Sequence, residues 1–146
     1  MFKKLCKNEE GFTLAELLIV VAIIGVLVAI SIPIFTSQLE KAREATDAAN
    51  IRAAYAELSS DAITGEDVTA KDEGNIKIQA STGDEGARVY TAKITLTQKK
   101  AGWTTDNLKT GSIGGISAGS PKEGDKVATL TIHEDGSVGS LAYGAD

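Results

Sequence analysis

A chain of 146 residues has room for one small domain with an appendage, and its hydrophobic residues are unevenly placed: residues 12–35 carry one charge, Glu16, whereas everything after Phe35 is polar with scattered apolar positions. The net charge of −5 opposes phosphate backbones overall, so nucleic-acid binding is not the default class. One histidine, one tryptophan and one cysteine leave little for a metal cluster, an aromatic cage or a nucleophile–base set, so no metal, cofactor or catalytic residue is expected. Because Cys6 precedes the apolar run, the rest of the chain must be stabilised by packing and hydrogen bonds, not by a disulfide.

The chain opens with a short positive head, Lys3, Lys4 and Lys7, as a cytoplasmic flank should be. An ordinary secretory signal places its cleavage mark after the apolar stretch; here the only such mark, Gly11, comes before it. Residues 12–35, at about 1.5 Å per residue, are long enough as a helix to cross about 30 Å of hydrocarbon. The many β-branched residues, Ile19, Val20, Val21, Ile23 and Ile24 among them, do not argue against helix, because in lipid the backbone has no other way to satisfy its hydrogen bonds. Gly25 and Pro33 interrupt this regularity, and Pro33, which lacks a donor, predicts a kink or a broken bond. The plainest reading is a single-span anchor with a domain outside. It leaves Glu16 unexplained, since a carboxylate at mid-bilayer costs about 2.5–3.5 kcal/mol, though less near the headgroups.

The helix is expected to continue through "TSQLEKAREATDAANIRAAYAELSSDAIT" to about Ala62, with Thr64-Gly65 ending it. Glu40 with Glu44, and Lys41 with Arg43, are expected to decorate a solvated surface. Ile51, Ala54, Tyr55, Leu58 and Ala62 form one apolar stripe, a docking face for a sheet. The chain thus divides into residues 1–11, a leader; 12–35, an apolar helix; 36–62, the amphipathic half of the same helix; and 63–146, a head.

Residues 64–75 read as an acidic loop. Ile76 and Ile78 punctuate a short strand, and Val89 to Thr97 alternate in a longer one, with Ser81 to Arg88 closing a hairpin between them. Val127 to Ile132 and Val138 to Tyr143 are joined by "HEDGS", whose Asp135-Gly136 is a hairpin signal. An antiparallel sheet of about four strands on the helix follows, an α+β fold. His133, Glu134 and Asp135 are read as a turn, because no calcium-loop spacing is present. The loop from Lys99 to Asp125 leaves two readings open. Trp103 either tucks into the head or lies exposed beside Lys99 and Lys100, where it would stack on a base or a host glycan.

"GFTLAELLIVVAIIGVLVAISIP" resembles the N-terminal signature of type IV pilins and related pseudopilins. The resemblance covers the leader and the apolar helix. It implies that a membrane prepilin peptidase cuts after Gly11 and that the new first residue, Phe12, is N-methylated. Glu16 of an incoming subunit would then pair with the Phe12 amine of a neighbour. The resemblance further implies that the segment between Gly25 and Pro33 can lose helix on assembly. The chain would be a structural precursor, held in the cytoplasmic membrane and then polymerised with other copies into a surface pilus, with an assembly platform and an ATPase as partners. The alternative is a pseudopilin of a type II secretion or DNA-uptake machine. A head without cysteine departs from pilins that close a C-terminal loop with a disulfide and suggests a Gram-positive source. Retention of Glu16 favours a subunit of the filament body.

Overall fold

A computed structural model describes residues 11–65, 71–82 and 87–145. Residues 1–10 of the leader, residues 66–70 of the acidic 64–75 stretch and the tip of the 81–88 turn lie outside the described residues. Residues 71–73, expected as loop, instead form a strand because they pair with residues 76–78 across a turn at Gly74. The chain forms two compact units, the first ending at Ser37 and the second beginning at Gln38.

Helix α1 (Leu14–Thr64) is the first element, and its residues 14–37 belong to the first unit. It runs on through Gly25 and Pro33, so the interruption expected there is confined to one missing donor: Pro33 has no N–H for the carbonyl of Ala29. Hydroxyls nearby bond the helix backbone, Ser31 Oγ donating to the Leu27 carbonyl at 2.7 Å and Thr36 Oγ1 to that of Pro33 at 3.0 Å. The C-terminal end falls where Thr64-Gly65 predicts, with Gly65 in the left-handed region at φ 65° and its N–H donating to the Asp61 carbonyl.

In the second unit the elements are β1 (Lys71–Glu73), β2 (Ile76–Thr82), β3 (Arg88–Thr95), α2 (Asp106–Lys109), β4 (Ser112–Ile113), β5 (Ile116–Ser117), β6 (Val127–His133) and β7 (Val138–Gly144). A fully antiparallel sheet has the order β1-β2-β3-β6-β7: four strands of seven or eight residues and a three-residue edge strand. Alternation decides which face is buried. Ile78, Tyr90, Ala92, Ile94, Ala128, Leu130 and Ile132 join Ala48, Ile51, Ala54, Leu58 and Ala62 of α1 in one core, with Tyr55 half-buried against it. Each large aliphatic side chain so buried contributes roughly 1.5–3 kcal/mol relative to exposure. The β6–β7 turn is closed by the Gly136 N–H donating to the His133 carbonyl, and Gly136 takes the left-handed φ of 79° that the Asp-Gly pair predicts.

The stretch from Lys99 to Asp125 is more ordered than its Gly and Ser content suggests. It carries α2 and the small β4–β5 hairpin, turned by Gly114 and Gly115 at φ 63° and 86°. A Cβ on Gly114 would sit 2.9 Å from Cδ1 of Tyr55, so backbone and ring leave no space for it. Gly114→Ala is therefore expected to destabilise the head by about 1–3 kcal/mol, read as a lower urea midpoint with an unchanged slope.

Candidate functional site

Two arrangements of side chains go beyond packing. The first lies at the start of α1. Thr13 and Glu16 form a reciprocal cap: the Thr13 N–H and hydroxyl donate to Glu16 Oε2 at 2.9 and 2.6 Å, and the Glu16 N–H donates to Thr13 Oγ1 at 3.3 Å. Thr-Leu-Ala-Glu is a capping box, and its acid also favours the positive end of the helix dipole. Gly11 just before it is exposed, with open space where a Cβ would be, and Phe12 is 83% exposed. Beyond the cap, every large apolar side chain from Leu14 to Phe35 is at least 45% exposed. A helix apolar on all sides, long enough to cross a membrane, needs lipid or other apolar helices around it.

The second arrangement corrects the solvated surface expected at Glu40 and Glu44. Glu40 is 4% exposed, and Glu44 and Asp47 are fully buried. At i, i+4 and i+7 they lie on one face of α1, and the stripe continues directly into Ile51, Ala54 and Leu58. Each carboxylate captures a piece of the loop between β3 and α2. Asp47 accepts the N–H groups of Thr97 (2.8 and 3.0 Å, one to each oxygen) and Gln98 (2.9 Å), and the Thr97 hydroxyl at 2.8 Å. Glu40 Oε1 accepts the N–H groups of Lys99 and Lys100 at 2.5 and 2.7 Å, while its Oε2 pairs with Arg43 at 3.2 Å. Glu44 takes the Thr104 N–H at 2.7 Å, the Thr105 N–H at 2.9 Å and the Thr105 hydroxyl at 2.7 Å. Burial alone would raise the Glu40 and Glu44 carboxyls. The loop donors outweigh it, with Arg43 helping at Glu40, and hold both below the ordinary 4.5.

The clamped loop carries Trp103 inward. It is 4% exposed, its Nε1 donates to the Ala118 carbonyl at 3.4 Å, and it meets Tyr143 edge to face with ring centroids 6.3 Å apart. The Tyr143 hydroxyl donates to the same carbonyl, and burial pushes that phenol up to about 12.

Residues 6–32 match the model of the prokaryotic N-terminal methylation motif. The similarity to known pilins lies in the N-terminal part of the chain. The chain is 48% identical over 52 residues to a type IV narrow pilus major component of Thermus thermophilus, covering 34% of this chain and 45% of that protein. It is 46% identical over 48 residues to a type IV major pilin protein of Myxococcus xanthus (33% of this chain, 22% of the relative) and 50% identical over 36 residues to a fimbrial protein of Eikenella corrodens (25% and 23%). The matched stretches thus span less than half the length of these relatives. No solved structure matches the chain.

Gly11, Phe12 and Glu16 fall together at the start of α1, Glu16 in the first turn, while Gly25 and Pro33 lie further along the same exposed apolar segment. The proposed ligand trio is not brought together. Lys99 and Lys100 are exposed, but Trp103 points into the core, so its indole has no open face for a base or sugar. His133, Glu134 and Asp135 form an exposed turn, and among the described residues no group of three or more His, Cys, Asp or Glu is placed to hold a metal. The clamp acids were legible only as a period: 40, 44 and 47 extend the spacing of 51, 54 and 58 with carboxylates in place of apolar side chains.

Proposed function

We propose that this chain is the precursor of a type IV pilus subunit, cut between Gly11 and Phe12, N-methylated on Phe12 and polymerised through its apolar helix. One observation carries the reading: an apolar helix segment exposed on every side, with a single carboxylate in its first turn and a glycine immediately outside it. Lipid covers such a surface in the precursor, and neighbouring copies cover it in a filament. Cleavage frees an α-amine on Phe12 whose ordinary pKa is about 7.7–8.0, so it is largely cationic at neutral pH and able to pair with Glu16 of an adjacent subunit. Glycine at the cut leaves the scissile backbone without a side chain, open to close approach by a membrane peptidase.

The partners of this reading are a prepilin peptidase that also methylates, an assembly platform with its ATPase, and other copies of the chain. The location is the cytoplasmic membrane first and the cell surface afterwards. The relatives lend no support to the Gram-positive source suggested by the cysteine-free head. A pseudopilin would share the same segment; long surface fibres containing the chain separate a pilin from it.

Intact-mass measurement tests the processing step. The mature chain is expected to lack residues 1–11 and to be one methylene heavier than unmodified Phe12-started protein. Gly11→Val is expected to retain the leader. A native chain that keeps the leader, with an unmodified Phe12, would overturn the proposal.

A further inference from the structure

The sheet has two faces, and among the described residues only one is covered. Opposite the core, the registers β2–β3, β3–β6 and β6–β7 line up Lys77, Lys93, Thr129 and Ala142 in one row and Gln79, Thr91, Thr131 and Ser140 in the next. Lys77 and Lys93 are direct cross-strand partners, an arrangement of like charges that is destabilising by itself. Around them Lys77, Gln79, Lys93, Thr95 and Val127 line a concavity of about 290 Å³. Lys77 reaches Asp72, its partner on β1, at 3.2 Å, but both side chains remain mostly exposed, so the pair is weak. In a chain of net charge −5 this open face therefore presents two adjacent ammonium groups amid amide and hydroxyl groups.

We propose that this face, centred on Lys77 and Lys93, docks an acidic polysaccharide, its carboxylates on the two lysines and its hydroxyls on Gln79, Thr95 and their polar neighbours. Charge complementarity selects an anion, since an anion between the ammonium groups relieves their repulsion. The surroundings select a sugar polymer over nucleic acid. Among the described residues of the head, Tyr90 and Trp103 are buried and Tyr55 and Tyr143 pack on the core, so no aromatic ring on this face offers a platform for bases. A duplex also presents a charge about every 1.7 Å, which two lysines cannot match on an acidic protein. A polysaccharide with one carboxylate per sugar is sparser and carries the hydroxyls that the amide and threonines can bond. The site goes beyond filament formation and does not depend on it.

The test uses the full chain in nanodiscs, with polygalacturonate as probe and neutral dextran and duplex DNA beside it. Polygalacturonate is expected to bind, weakening as salt rises, and dextran not to bind. Lys93→Gln is expected to cost about fivefold, Lys77→Gln with Lys93→Gln at least about tenfold, and Asp72→Asn to strengthen binding by freeing Lys77. Lys99→Gln with Lys100→Gln is expected to change nothing. Trp103 emission checks that each variant is folded. Unchanged binding by the folded Lys77/Lys93 double variant, absence of polygalacturonate binding, or tighter binding of duplex DNA would each overturn the proposal.

Discussion

Replacing Glu44 by glutamine is expected to lower the melting temperature of the head by on the order of 10 °C and to move Trp103 emission to the red. Glu44 is fully buried and takes the Thr104 N–H on one oxygen and the Thr105 N–H and hydroxyl on the other. Glutamine keeps an acceptor for one side and turns an amide donor toward donors on the other. Hydrogen bonds to a charged group contribute about 1.5–3 kcal/mol each, and a donor left facing a donor costs more than a lost bond. Trp103 lies next to Thr104 and is the sole tryptophan of the chain, so its emission reports on this loop alone. Acid should act on the same contacts. The Glu40 and Glu44 carboxyls are held below 4.5, so folding favours their ionised forms. Their contribution is complete above that value and is lost as pH falls through the lowered pKa values. Trp103 emission is therefore expected to stay constant down to about pH 4.5 and to shift below it, with a smaller pH-dependent change in Glu40→Gln/Glu44→Gln. A Glu44→Gln protein that melts like the parent would remove the clamp from this account.

Glu16→Ala is expected to leave cleavage and methylation intact and to abolish filament yield, with incorporation of subunits down on the order of a thousandfold. Under the proposed assembly, a subunit lacking the carboxylate leaves a neighbour's Phe12 amine unpaired in an apolar environment, at a cost of about 3–5 kcal/mol. The structure supplies a competing role for the same residue, since Glu16 caps its own helix through Thr13. Glu16→Gln separates the two. A capping box accepts glutamine in this position, whereas an ion pair does not. Filaments lost in both variants support pairing with the amine; filaments restored by glutamine would reassign Glu16 to helix capping.

The capping box also bears on how the acid is tolerated before assembly. Two donors from Thr13 meet Glu16 Oε2, so under the proposed membrane insertion the carboxylate would enter the interfacial region already partly satisfied, and Oε1 receives none of them. The segment to which processing and assembly are assigned in the proposal is thus also a local helix start, and under that proposal the two uses do not conflict: one oxygen caps, the other remains for a partner. The capping half of this division is written in the spacing Thr-x-x-Glu.

Elements whose physics is local or periodic can be read from the residue order alone. The apolar run from Phe12 to Phe35 admits only a helix in lipid, the stripe from Ile51 to Ala62 admits only one buried face, and the period-two strands with Asp135-Gly136 between them admit only a half-buried antiparallel hairpin. Charge patterning, by contrast, does not say which acids are buried. Glu40, Glu44 and Asp47 carry the same letters as any solvated helix face, and they are buried only because backbone donors arrive from residues 50 to 61 positions further along the chain. Trp103 was likewise undecided between solvent and core until that loop was pinned. A charge can leave water only where its hydrogen-bond partners are waiting, and those partners belong to the fold, not to the neighbouring sequence.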